Sequence, residues 1–432
     1  GAATAEVIET IYTTRESALH RARLLVMSGV AAMYLTWFRD GPWSLVPPLL
    51  VLPVTLSGVS GATLTLGISL SPLLASTGIF MGLRGAASML LGGGITWLVL
   101  APWVVRSGIV QTATYGSFVS WLVWPGLGLM MSSTFVPLAL EWRSALRSFK
   151  DLTSLVRDDR GAGDRSSARV PLQGAIVAGC VAAVVWIGRA AFGLHPAITL
   201  IALLLSAVLA GVCARAAGET DIAPVGSMGM LMQLVFGAYG PIASLVSGAV
   251  AQGSGSQVAQ TLWAFKAGHR LAASPRAQLC AQMIGAVVGG LVVVPVYVVI
   301  VRAYGIGTEA MPAATALSWK ATADAVGGGL AAMPHYGPLA GAIGFTFGIA
   351  LSLLGRTRLG RLVPSPTAVG IAVLTPASLT AMVFVGAVGA SLVRRRWPAL
   401  SETTLTSMAA GGIAGESLMG VMIAALVAAG LL

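Results

Sequence analysis

Apolar residues in this chain run in long continuous stretches, parted by short polar connectors. A membrane-crossing helix needs about 20 mostly apolar residues. Stretches near that length fall at 24–38, 64–81, 86–105, 118–140, 172–185, 198–213, 281–301, 339–354, 371–392 and 418–432, with shorter ones at 228–235 and 242–250. A further short apolar piece, 45–56, carries Pro47, Pro48 and Pro53. Lipid offers backbone N–H and C=O groups no partner, so only helices or closed barrels cross it. Barrel strands alternate apolar and polar positions; runs such as 291–301 and 422–432 do not, and helix is the consistent reading. The pattern predicts an all-α, polytopic helical membrane protein with discontinuous or re-entrant helices and about ten to twelve spans. One long polar connector, 141–170, mixes both charge signs. It divides the chain into helices at 1–150, a cytoplasmic loop at 151–170 and a transport domain at 171–432.

Composition agrees with the pattern. Of 432 residues, 56% are hydrophobic and 9% charged, against roughly 25% charged in soluble domains. The net charge of +11 would suggest nucleic acid in a soluble protein. Here Arg143, Arg147, Lys150, Arg356, Arg358, Arg361 and Arg394, Arg395, Arg396 sit in short connectors, as the positive-inside rule expects of cytoplasmic loops. Nucleic acid is not an expected partner; the lipid bilayer is. The excess of Arg over Lys, with abundant Ala and Gly, hints at a bacterial source and so an inner (plasma) membrane. Cys180, Cys213 and Cys280 are far apart and show no metal-ligand spacing. No zinc, serine-hydrolase or P-loop constellation occurs, so neither catalytic residue, metal site nor cofactor is expected. The chain starts at Gly1 without a signal-peptide pattern, and reads as the remainder of a longer protein.

Polar groups inside apolar territory carry the functional signal. A charge at the bilayer centre costs about 2.5–3.5 kcal/mol on insertion scales, so it persists only in a cavity, in a pair or neutralised. Three stretches stand out. Gly218–Gly226 holds Glu219 and Asp221, with Pro224 suited to a first helical turn and Gly226 loosening the backbone; it reads as a discontinuous helix facing a cavity or as a capped turn at the surface. Gln233 follows two to three turns later. Gln252, Gly253, Ser254, Gly255, Ser256 and Gln257 suggest a broken or cavity-lining helix. Glu416, with Gly415 before it, opens the last apolar run; it reads as a proton-carrying carboxylate or as half of an ion pair locking two helices. Pro366 in Pro364–Thr367 is a weaker helix-break candidate, equally a turn between spans.

The same residues resemble the oligopeptide transporter superfamily, which includes yellow-stripe-like metal-chelate transporters and bacterial members. The resemblance is carried by Gly218–Gly229, Gln233–Gly237, Lys266–His269, Ala273–Arg276, Val293–Val296, Pro364–Gly370 and Ile413–Val421, with Gly67–Pro72 less distinctive. It implies about sixteen helices built by duplication, of which this chain holds a part truncated at its N-terminus. It also implies uptake of peptides or metal chelates, usually coupled to protons. Ser227 and Met230 depart from the pattern, standing where bacterial relatives are expected to have Lys. The expected function is proton-coupled secondary transport of small peptides or peptide-like metal chelates. In it Glu219 and Asp221 bind cations or protons, Gln233, Gln252 and Gln257 hydrogen-bond the solute beside Ser254 and Ser256, and Glu416 carries a proton. A passive pore is the first rival, a membrane-embedded enzyme a weaker one. The oligomeric state is not legible.

Overall fold

The computed structural model describes residues 15–140, 169–220, 223, 225–309, 311–329, 334–397 and 402–431. Helix α1, Arg15–Asp40, is followed by four short strands: β1 Leu49–Val51, β2 Thr55–Leu56, β3 Val59–Ser60 and β4 Gly67–Ser69. β1 pairs antiparallel with β4, Leu50 opposite Ile68, and β2 with β3 inside them. The inner turn places Ser57 and Gly58 at φ +57° and +79°, the left-handed pair that matches strand twist in a two-residue hairpin. This corrects the reading of the start of 64–81 as part of a span, and shows the short apolar piece 45–56 to be hairpin. Pro47, Pro48 and Pro53 cannot donate to a helix ladder, and the nested hairpins supply the partners instead.

The remaining elements are helical: α2 Pro72–Ile95, running through a π turn at Thr96–Leu100 into α3 Ala101–Arg106; α4 Tyr115–Leu140; α5 Arg169–Phe192; α6 Pro196–Thr220; α7 Val225–Phe236; α8 Pro241–Arg270; α9 Pro275–Tyr304; α10 Ala314–Gly328; α11 Gly337–Leu354; α12 Pro366–Val373; α13 Ala377–Arg396; and α14 Glu402–Ala428. Among the described residues, eight helical segments are long and apolar enough to cross a membrane. α1 and α8 are 26 and 30 residues long but more polar. The chain is a polytopic all-α membrane protein.

Two parts of the sequence reading change. The stretches 64–81 and 86–105 do not give two separate spans: one helical run, Pro72–Arg106, is turned at Gly82, whose φ of +75° and ψ of 168° only glycine adopts readily. The stretches 228–235 and 242–250 are not spans by themselves either. The 12 residues of α7 reach about 18 Å, short of a bilayer core. The second stretch is the opening of α8.

The described residues form two compact units interleaved in sequence: Ser133–Leu279 with Trp319–Met333, and Ala3–Ser132 with Cys280–Ser318 and Pro334–Leu432. The polar connector at 141–168 lies outside the described residues.

In the first unit α6, α7 and α8 pack together around Val212, Cys213, Ala217, Met228 and Ala259, and around Ala202, Met232, Phe236 and Ala251. α8 contributes Ser244, Ser247, Gly248, Ala251, Gly255 and Ala259, a stripe at three- to four-residue spacing.

In the second unit α14 lies against α1. A Cβ on Gly415 would strike the carbonyl of Gly29, and one on Gly411 that of Leu25, so small residues set this close approach. Both arms of the run turned at Gly82 pack on α13: Gly78 meets Val383 and Ala387, while Ala86 and Met89 share a buried cluster with the same two residues. The run is a helical hairpin with Gly82 at its tip.

Candidate functional site

The most developed polar site is in the second unit, at the first turn of α2. Ser71 caps this helix, its Oγ accepting from Leu74 N–H at 3.1 Å, and Pro72 follows as the first helical residue. Glu416, 9% exposed, reaches this turn from the middle of α14. Its Oε2 accepts from Leu73 N–H at 2.6 Å, and Ser71 Oγ lies 2.9 Å from both carboxylate oxygens. Arg39, in the last turn of α1, donates from Nη2 to Glu416 Oε1 at 2.9 Å. The same guanidinium donates to both oxygens of Asp40, at 2.6 and 2.8 Å, and to the carbonyl of Leu70 at 2.8 Å. Every partner of Glu416 can act as a donor, which suits an acceptor-only carboxylate. The positive end of the helix dipole adds to the same field. Three elements are thereby joined: α1, the hairpin arm Pro72–Met81 and α14. This is the ion-pair geometry the sequence left as an alternative for Glu416. It also shows why α14 is unbroken at Gly415, correcting that helix-break candidate: glycine is there for contact with Gly29, and its backbone stays helical.

A second interruption lies between α12 and α13. Ser365 caps α12, its Oγ accepting from Ala368 N–H, and its own N–H donates to Ser88 Oγ at 3.0 Å. Pro366 is the first residue of this eight-residue helix. The far end is held by side chains from elsewhere in the unit. Tyr115 OH donates to the carbonyl of Leu374 at 2.9 Å, and Trp97 Nε1 to that of Thr375 at 2.8 Å. Thr65, fully buried at φ +54°, accepts from Ala377 N–H through Oγ1 and from Ser378 N–H through its carbonyl. A broken helix leaves backbone groups that lipid cannot satisfy, and these five side chains and the Thr65 carbonyl satisfy them.

In the first unit, α6 ends at Thr220 and α7 begins at Val225. Asp221 and Pro224 lie outside the described residues, as does the side chain of Glu219. Gly226 is half-buried in the first turn of α7. Gln233 is fully buried. Its Nε2 donates to the carbonyl of Trp319 at 3.1 Å and its own carbonyl accepts from Ser244 Oγ at 3.0 Å, while Oε1 has no partner among the described residues. Its stem packs on Gly248.

The stretch 252–257 is not a break, contrary to the reading of Gly253 and Gly255 as helix-breaking. α8 is continuous, and neither glycine has a positive φ. Gly255 is buried where a Cβ would press on Met228 Sδ at 3.1 Å, so it makes room for α7; Gly253 faces open space. Gln252, Ser256 and Gln260 share one helix face four residues apart, with Gln257 exposed beside them. Ser254 Oγ turns back to the carbonyl of Ala251 at 3.0 Å. Gln260 Nε2 donates to Ser256 Oγ at 3.3 Å. Gln252, Ser254 and Ser256 are half-buried beside the packing stripe, while Gln257 and Gln260 are exposed.

Sequence reasoning missed three participants. Arg39 looks like an ordinary charge at a helix end, and its partner lies 377 positions away. Ser71 gives no signal apart from its place before Pro72. Arg84 stands alone between two apolar runs; the criterion that selected Glu416 would have selected it, had the two runs been read as one helical hairpin. Among the described residues, no group of three or more His, Cys, Asp or Glu side chains could hold a metal ion.

Broken helices with satisfied ends, and a buried ion pair across three elements, define a polytopic helical membrane protein of the kind built around intramembrane polar sites. The family model for the OPT oligopeptide transporter protein matches residues 1–427. The chain belongs to that family, whose members are transporters rather than enzymes. It is similar to a Saccharomyces cerevisiae protein named "Putative oligopeptide transporter", with 27% identity over 82% of this chain and 57% of that protein. It is also similar to two Oryza sativa subsp. japonica proteins, each named "Probable metal-nicotianamine transporter". YSL12 shares 26% identity over 51% of this chain and 32% of its own length, and YSL9 29% over 50% and 33%. The chain therefore spans little more than half of the yeast relative and a third of the rice ones.

Proposed function

We propose that the chain carries solute-moving helices of a secondary active transporter for small peptides or peptide-like metal chelates, driven by protons. Family membership and the relatives' names support the solute class. One observation carries the coupling: the buried carboxylate of Glu416 at the capped start of α2, held by Arg39, Ser71 and Leu73 N–H. A proton on Glu416 removes the charge that Arg39 and the helix end recognise. Arg39 then keeps Asp40 as its partner, and α14 loses its tie to the hairpin arm. Proton arrival and helix release become one event. Glu219 and Asp221, at the interruption between α6 and α7, and Gln233 together with Gln252, Ser254, Ser256 and Gln257 of α8 are the proposed solute contacts.

The test is uptake of labelled peptides and metal chelates by full-length protein in liposomes, with and without an inward proton gradient. Saturable uptake that collapses with the gradient, and in Glu416→Gln, is expected. Uptake indifferent to both sinks the coupling; flux that never saturates replaces the carrier with a pore.

A further inference from the structure

A cavity of about 430 Å³ lies in the second unit at the tip of the helical hairpin. Its wall is formed by Met81, Arg84 and Gly85 beside the tip, Leu351, Ser352, Gly355 and Arg356 at the end of α11, and Pro364 to Pro366 at the start of α12. It is separate from Glu416, whose partners are at the other end of the Pro72–Met81 arm. The volume is within the roughly 300–1,000 Å³ of small-molecule sites.

The chemistry of the wall selects an anion. Among the described residues it contains two arginines, Arg84 and Arg356, and no acid. Arg84 is anchored: Nη2 donates to the carbonyls of Gly360 and, at 3.2 Å, Val363. Those bonds hold the guanidinium in place and use only one of its nitrogens, leaving the Nε and Nη1 donors of the planar fork. The opening turn of α12 points the same way. Pro366 has no N–H and Ser365 Oγ takes that of Ala368, so among the described residues the N–H of Thr367, next in sequence to the lining residue Pro366, is a helix-start donor without a partner, of the kind that favours anionic groups in discontinuous membrane helices. Met81, Leu351 and Pro364 provide apolar wall for the body of the ligand. Arg356, with Arg358 and Arg361, belongs to a short basic connector, so the cavity opens on the side that such connectors mark as cytoplasmic.

We propose that this cavity binds the carboxylate of the transported solute, through Arg84 and Arg356 together with the start of α12. The solute's identity rests on the peptide or peptide-like chelate reading above; the carboxylate preference rests on the cavity.

The test is protection of individual arginines from phenylglyoxal, read by peptide mass spectrometry on full-length protein in phosphatidylcholine nanodiscs. Trialanine and trialanine amide are the probes, and Arg394–Arg396 the internal reference. Trialanine is expected to slow modification of Arg84 and Arg356 about tenfold, the scale of a charge-assisted hydrogen bond, and the amide to leave it unchanged. No protection, or equal protection by acid and amide, overturns the proposal. Protection by phosphatidylglycerol in the discs but not by trialanine also overturns it, reassigning the cavity to a lipid headgroup. Proton-driven peptide uptake without protection rejects the cavity and keeps the transporter. Protection without uptake does the reverse. Arg356→Gln, which leaves the Arg84 anchor in place, is expected to lose the acid-over-amide preference while retaining its fold.

Discussion

Arg39 and Glu416 show how a single pair decides what a buried charge means. Each side chain is only about a tenth exposed. Removing one partner of such a pair costs about 3–5 kcal/mol, because the other is left uncompensated. Replacing both by apolar residues of similar volume is far milder. Arg39→Ala and Glu416→Ala should therefore each lower the thermal unfolding midpoint of the detergent-solubilised protein strongly, and Arg39→Met with Glu416→Leu should recover most of the loss. Strictly additive effects would show that the two residues do not interact. The sequence marks Glu416 as anomalous from its apolar surroundings. It does not supply the partner, since nothing local ties position 416 to position 39.

At the scale of the element, glycine does two opposite jobs. Gly82 turns a helical run through a conformation other residues reach only with strain, about 1–3 kcal/mol per residue. Nothing crowds its missing Cβ, so backbone strain alone makes Gly82→Ala destabilising. Gly415 is helical but sits on the Gly29 carbonyl, so Gly415→Ala must push α1 and α14 apart. Gly253 is helical and uncrowded, so Gly253→Ala should be neutral or stabilising by up to about 1 kcal/mol. Midpoints measured for the three variants should fall, fall, and hold or rise. A fall in Gly253→Ala would restore the helix break that the sequence suggested there. These roles are indistinguishable by composition, because bending and close packing both call for a residue without a Cβ.

For the whole molecule, the surface that the helices present is a lipid surface. α9 has no buried residue along its 30 positions, which in water would be untenable for so apolar a helix. Cys180 is exposed within the span Gly174–Phe192, whereas Cys213 is buried and donates to the carbonyl of Gly255. Thiols react as thiolates, which hydrocarbon disfavours. A membrane-impermeant maleimide should spare both cysteines in sealed proteoliposomes and label both after denaturation. Rapid labelling of Cys180 in the intact membrane would place α5 against water.

The sequence by itself determined the solvent and the element type. Long continuous apolar runs have only one economical solution in lipid, and the motifs that interrupt them carry the family. It also marked Glu416 and the start of α12, since a carboxylate or a proline inside such a run is costly wherever it lies. Tertiary structure decided the rest: that two apparent spans are one hairpin turned at Gly82, that Gly253 and Gly255 leave α8 unbroken, and that Glu416 meets Arg39 at the capped start of α2. The physical reason is the same in each case. A hydrogen-bond partner or a steric neighbour hundreds of positions away leaves no local imprint, and only the packed helices bring it within reach.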